Sequence, residues 1–91
     1  MANTARTETD YLELVRSALT HALEVDREDT DLDEDVELVG MPNMSSLAML
    51  RGLIHVEGEL GFELADDRLV TVRTIGELAA AIAEQDEESA R

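Results

Sequence analysis

The chain has 91 residues, is 44% hydrophobic with Tyr11 and Phe62 as its sole aromatics, and carries a formal charge of −15 from 22 acids against seven arginines. That length bounds one small domain with one core, built here from Leu, Ile, Val, Met and Ala, which favours helices over an aromatic-rich sandwich or barrel. The charge argues against nucleic-acid or anionic-membrane binding and, where it does more than keep the chain in solution, favours basic protein surfaces, while the lack of cysteine excludes disulfides, thiolate metal sites and cysteine nucleophiles.

Residues 1–7 read as a flexible polar tail without the apolar stretch of a signal peptide. No later run is apolar enough to span a membrane, so a cytoplasmic location is expected. Thr7 and Asp10 have the spacing of a capping box, with Asp in place of Glu. Tyr11, Leu12, Leu14, Val15, Ala18, Leu19, Ala22 and Leu23 follow at helical spacing. The first helix is therefore expected over Glu8 to Leu23.

The next stretch is acidic: Glu24, Asp26, Glu28, Asp29, Asp31, Asp33, Glu34, Asp35 and Glu37, with Arg27 the one base. Leu32, Val36, Leu38 and Val39 punctuate it, the pattern of a loop pinned to a core by apolar anchors. Gly40 and Pro42 then break the chain. A connection as long as Glu24 to Met44 tends to carry function. The acids invite a calcium reading, but the loop pattern requires Gly at its sixth position and Glu at its twelfth. Starting at Asp29 gives Glu34 and Gly40 there; starting at Asp31 gives Val36 and Pro42. A solvated acidic loop is the better reading, and no metal site is expected.

Ser45 and Ser46 open the second helix, Ser45 as its N-cap. Leu47, Leu50, Leu53, Ile54 and Leu60 form its apolar stripe, with Met49 and Val56 at the margins. Gly52 and Gly58 weaken the helix by about 1 kcal/mol each, so packing must hold it, and Gly61 stops it. Asp66 to Val70 is expected to form one short turn of helix. Thr74 and Glu77 make a second capping box, opening a last helix over Ile75 to Gln85, with residues 86–91 as a frayed acidic end. The folded domain proper is thus expected over 8–85. His21 and His55 fall on different helices without paired metal-ligand spacing, and no nucleophile elbow or phosphate loop occurs, so no catalytic constellation is expected.

Ser46 admits two readings. It can simply accompany Ser45 in capping the helix. Taken in isolation the capping reading is the stronger, yet a first-turn serine also displays a hydroxyl where backbone N–H groups and the helix dipole favour an attached phosphate. With no base in the chain to activate it, a separate enzyme would have to modify it.

Several short motifs occur in one order: Leu32-Asp33-Glu34-Asp35-Val36, Gly40, Met44-Ser45-Ser46-Leu47, Val56-Glu57-Gly58-Glu59-Leu60-Gly61-Phe62, Asp66-Asp67-Arg68-Leu69 and Thr74-Ile75-Gly76-Glu77-Leu78. In this order and spacing, roughly from Tyr11 to Ala83, the chain resembles the acyl carrier protein family. The resemblance implies an all-α, four-helix acyl-carrier-like bundle with a long loop between helices one and two and a short third helix. It implies a discrete, non-enzymatic, monomeric carrier with 4′-phosphopantetheine, drawn from coenzyme A, on Ser46. Cargo would ride as an acyl thioester, in polyketide or related secondary metabolism. The implied partners are a phosphopantetheinyl transferase and loading or transfer enzymes such as an acyltransferase, ketosynthase or adenylating enzyme.

Three departures from the family pattern bear on recognition. Ser45 stands where the family has Asp, so the cognate transferase is adapted or modification is slow. The step from Gly40 to Ser46 is longer than usual, through Met41, Pro42 and Asn43. Ala48 and Arg51 occupy helix-two places that the family usually fills with acids. Partner recognition is accordingly expected from Met44, Ser45, Leu47, Met49 and Arg51 together with the loop acids Asp35 and Glu37. An aminoacyl or peptidyl carrier of nonribosomal type is the alternative, although its Gly-Gly-x-Ser pattern is missing. A non-carrier acidic helical interaction module, with Ser46 only a cap, is the other.

Overall fold

The computed structural model describes residues 6–89. The helices form where local capping and apolar periodicity agree. Helix α1 (Glu8–Leu23) starts on the expected box: Thr7 Oγ1 accepts the Asp10 N–H at 3.2 Å and Asp10 Oδ2 accepts the Thr7 N–H at 2.8 Å. Glu24 ends it in the left-handed conformation, φ 56°. Helix α2 (Ser46–Leu60) is capped by Ser45 and closed by Gly61 at φ 88°, a conformation that glycine adopts without Cβ strain. Helix α3 (Ile75–Ser89) starts on the second expected box, Glu77 N–H to Thr74 Oγ1 at 3.1 Å and Thr74 N–H to Glu77 Oε1 at 3.3 Å.

The fold is all-α, with three α-helices among the described residues. The short third helix of the expected four is a single 3₁₀ turn, Asp66–Arg68. Its bonds, Arg68 N–H to Ala65 O at 3.1 Å and Leu69 N–H to Asp66 O at 3.0 Å, close three-residue rings. Leu64 is buried in the core and Leu69 and Val72 pack against it, so the segment between α2 and α3 is pinned on both sides of this turn. The long α1–α2 connection likewise contains 3₁₀ turns at Arg27–Asp29 and Leu38–Gly40.

The core gathers Tyr11, Val15, Ala18, Leu19 and Leu23 of α1, Ala48 and Val56 of α2, and Ile75, Leu78, Ala79 and Ile82 of α3. Leu32, Leu38 and Met41 reach into it from the loop. Val36 packs against its edge, whereas Val39, expected as an anchor, is 84% exposed. Backbone bonds fix the loop against the entry to α3: Gly76 N–H to Glu34 O at 2.8 Å, Ile75 N–H to Val36 O at 3.0 Å and Leu38 N–H to Arg73 O at 2.8 Å. They form an isolated antiparallel bridge of Glu37 with Thr74. Gly76 permits this approach, since a Cβ there would lie 3.1 Å from the Glu34 carbonyl oxygen. Arg16 adds a tie, its Nε donating to Leu32 O at 2.9 Å.

Helix α2 turns a different face inward from the one its leucines predict. Ala48, Gly52 and Val56 are buried, while Leu47, Leu50 and Ile54 are each more than half exposed. The cause lies on α1: its small residues admit α2 closely, and a Cβ on Gly52 would already touch Ala22 Cβ at 3.7 Å. The residues that bring the helices together are thus the small ones. His21 and His55 sit across this α1–α2 seam with ring centroids 5.2 Å apart.

Only part of the expected tail and of the expected frayed end is described. Residues 1–5 and 90–91 lie outside the described residues. Arg6 and Thr7, however, are engaged, and α3 continues to Ser89. Asp86 Oδ2 accepts the Tyr11 hydroxyl at 2.8 Å and Arg6 Nη1 at 2.7 Å, while Arg68 pairs with Glu84 and Glu88. These pairs give acidic residues a reason to remain helical. Among the described residues, no helix is long and apolar enough to cross a membrane.

Candidate functional site

The two serines before α2 are separated in role by one residue of backbone. Ser45 is extended, φ −156° and ψ 170°, and its Oγ accepts the Ala48 N–H at 3.0 Å, the N-cap bond. Ser46 is the first helical residue; it is exposed, and its hydroxyl has no hydrogen-bond partner among the described residues. The cap is therefore complete without it. The α2 N-terminus also presents the N–H groups of its first turn, and no acid lies in that turn. An anion attached at Ser46 would meet the positive end of the helix dipole.

A groove of about 410 Å³ opens beside this hydroxyl. Met44, Met49 and Val72 supply apolar wall, with Val39 at the rim and Glu37 and Arg73 as its charged residues. The backbone bridge between the loop and the α3 entry brings Val72 and Arg73 here, although they stand far from Ser46 in sequence. Volume alone does not single out this groove. Another of about 390 Å³ lies between α1 and α3, lined by Leu12, Ala79, Ala83 and several glutamates. What distinguishes the first is an exposed, unbonded nucleophilic oxygen at its edge.

On the other flank of Ser45, a second groove is lined by Leu23, Glu24, Asn43, Leu47 and Arg51. Asn43 adopts the left-handed conformation, φ 64°, and its Nδ2 donates to Leu23 O at 2.8 Å. The longer step through Met41, Pro42 and Asn43 thus has a structural role. Met41 plugs the core, and Asn43 satisfies a carbonyl at the end of α1.

Of the residues expected to act together, Ser45, Ser46, Met44, Met49 and Glu37 share the first groove, while Leu47 and Arg51 lie on the opposite flank. Asp35 is exposed in the turn before Val36 and lines neither groove. Residues that sequence reasoning missed are Val39, Val72 and Arg73 in the groove and the outward stripe Leu50 and Ile54. The i, i+3, i+7 spacing of Leu47, Leu50 and Ile54 is visible in the sequence as part of the apolar stripe of α2, of which only Leu47 and the marginal Met49 are expected at the partner surface.

Comparison with known proteins finds relatives over most of the chain. The family model described as "Phosphopantetheine attachment site" matches residues 13–82. Acyl carrier protein MbtL of Mycobacterium bovis is 36% identical over 69 residues, covering 70% of this chain and 82% of that protein. The same figures hold for MbtL of Mycobacterium tuberculosis. MbtL of Mycolicibacterium paratuberculosis is 32% identical over 68 residues, covering 69% and 76%.

Proposed function

The chain belongs to the acyl carrier protein family of phosphopantetheine-bearing proteins, and from that membership we propose that it carries acyl intermediates on an arm esterified to Ser46, in polyketide or related secondary metabolism. The family's covalent 4′-phosphopantetheine supplies a thiol at the end of a flexible tether, on which cargo is held as a thioester. The observation that carries the assignment to Ser46 is the division between neighbouring serines: Ser45 holds the cap, and Ser46 is exposed with an unengaged hydroxyl. Space for a phosphodiester and the start of a chain adjoins it in the Met44, Met49 and Val72 groove. The acyl reading draws on the relatives, which are named acyl carrier proteins.

The chain's own contribution is display and docking. No hydrogen bond links Ser46 to a base among the described residues, so the proton of its hydroxyl must leave to a group on a phosphopantetheinyl transferase. We place partner docking on the exposed stripe Leu47, Leu50 and Ile54, with Arg51 beside it, and on the Met44 and Met49 side of the groove. Asp35 and Glu37 supply negative charge at the loop edge.

Intact mass after incubation with coenzyme A and a phosphopantetheinyl transferase tests the assignment. The expected result is a gain of one phosphopantetheine by the wild type and none by Ser46→Ala, with unchanged helical circular dichroism. Ser45→Ala loses a cap, at about 1 kcal/mol, but still gains the mass. Labelling of Ser46→Ala, or no labelling of the wild type by several transferases, would sink the proposal.

A further inference from the structure

We infer that Arg73 is the counter-ion for the phosphodiester at Ser46, a reading that rests on the attachment proposed above. The first observation is a difference among the arginines. Arg6, Arg16, Arg27 and Arg68 are each paired with a carboxylate at 2.6–3.1 Å. Arg51 and Arg73 have no such partner and no side-chain hydrogen bond among the described residues. In a chain with 22 acids, these two exposed guanidiniums are left available to an added anion. Of the two, only Arg73 lines the groove that contains Ser46.

The second observation is how Arg73 is held. Its carbonyl accepts the Leu38 N–H at 2.8 Å and its N–H donates to Glu77 Oε1 at 2.7 Å. The backbone is thus fixed from both sides while the side chain stays exposed. The nearby carboxylates do not claim the guanidinium. Glu77 spends Oε1 on two backbone N–H groups of the α3 cap, and Glu37, in the same groove, forms no ion pair with Arg73.

A phosphodiester on Ser46 adds a permanent negative charge to a chain already at −15. A guanidinium in the same groove meets that charge with the fork geometry that suits phosphate oxygens. Because the pair is exposed, its contribution is modest and screened by salt.

The experiment compares melting temperatures of the bare and phosphopantetheinylated forms of the wild type, Arg73→Gln, Arg73→Lys and Glu37→Gln. The readout is the loaded-minus-bare shift, in which any effect of the substitution on the bare scaffold cancels. At about 0.01 M ionic strength, the shift for Arg73→Gln is expected to fall below the wild-type value by about 1–5 °C. Arg73→Lys should keep most of the wild-type shift, and Glu37→Gln, which removes a like charge from the groove of the phosphodiester, should enlarge it. At about 1 M salt the differences should vanish. Equal shifts for wild type and Arg73→Gln at low salt would overturn the inference and leave the Ser46 assignment standing. Failure of the wild type to gain mass would overturn the assignment itself.

Discussion

Tyr11 is a side chain whose chemistry the fold alters. Its ring is buried on α1 and its hydroxyl donates to Asp86 at 2.8 Å. Burial first, then the bond to Asp86, push its phenol up to about 12 from the ordinary 10.0. The unfolded chain therefore ionises before the folded one. The stability this provides is fully present below about pH 10 and is lost as pH rises toward about 12, roughly 2–3 kcal/mol in all. Melting temperature measured from about pH 8 to about pH 12 is expected to fall more steeply for the wild type than for Tyr11→Phe. Parallel curves would show that the phenol is not responsible. Glu13 shows the opposite shift: Arg27 and Arg16 hold its carboxyl below the usual range. Its contribution is present above the unfolded pKa and fades as pH falls through the folded one. All three side chains are partly exposed, so it stays well under about 1 kcal/mol.

At the scale of the element, glycines in different surroundings respond differently to the same methyl group. Gly58 lies in α2 with nothing within 4 Å of a built Cβ, whereas a Cβ on Gly76 would press to 3.1 Å against Glu34. Gly58→Ala is expected to stabilise by about 1 kcal/mol, raising the melting temperature by about 4–8 °C. Gly76→Ala should lower it, with crowding of about 1–3 kcal/mol outweighing the helix gain. Thermal unfolding of the two variants checks the sign of each, and a stabilised Gly76→Ala would refute the close approach. Helix starts were legible in the sequence because capping is local: Thr7 with Asp10 and Thr74 with Glu77 act within one turn. The inward face of α2 was not legible from its own residues. It has more apolar side chains than one face can bury, and the small residues of α1 decide which of them meet the core. The same limit explains the groove. Ser46, Met44 and Met49 are neighbours in sequence, but Val72 and Arg73 arrive through the Glu37–Thr74 bridge, a long-range event without a local signature. The run of α3 to Ser89 likewise depends on Tyr11, Arg6 and Arg68, which belong to other segments.

Across the whole molecule, charge and greasiness are divided between surfaces. The net −15 is spread over a body with a radius of gyration of 12.7 Å, and long-range attraction to a basic partner follows from it. The outward face of α2 instead offers Leu47, Leu50, Ile54 and an Arg51 that is unpaired among the described residues. Approach and final contact should thus respond to different variables. Raising ionic strength from about 0.01 M to about 0.15 M is expected to lower kcat/KM for transferase loading by about tenfold or more through lost steering. Leu50→Asn and Ile54→Asn should lower it by a similar factor at every salt concentration, with helicity unchanged. Arg51→Glu should alter the ranking among partner enzymes. Loading and transfer kinetics left intact by all three substitutions would remove α2 as the docking face.

The bond from Ser45 to Ala48 has a consequence for the life cycle of such a molecule. A single serine serving both as cap and as anchor would have its accepting oxygen weakened and crowded whenever that oxygen was esterified. With the two duties on separate side chains, the dressed and undressed forms can keep one backbone. Each visiting enzyme then meets the same platform, whatever the tether happens to hold.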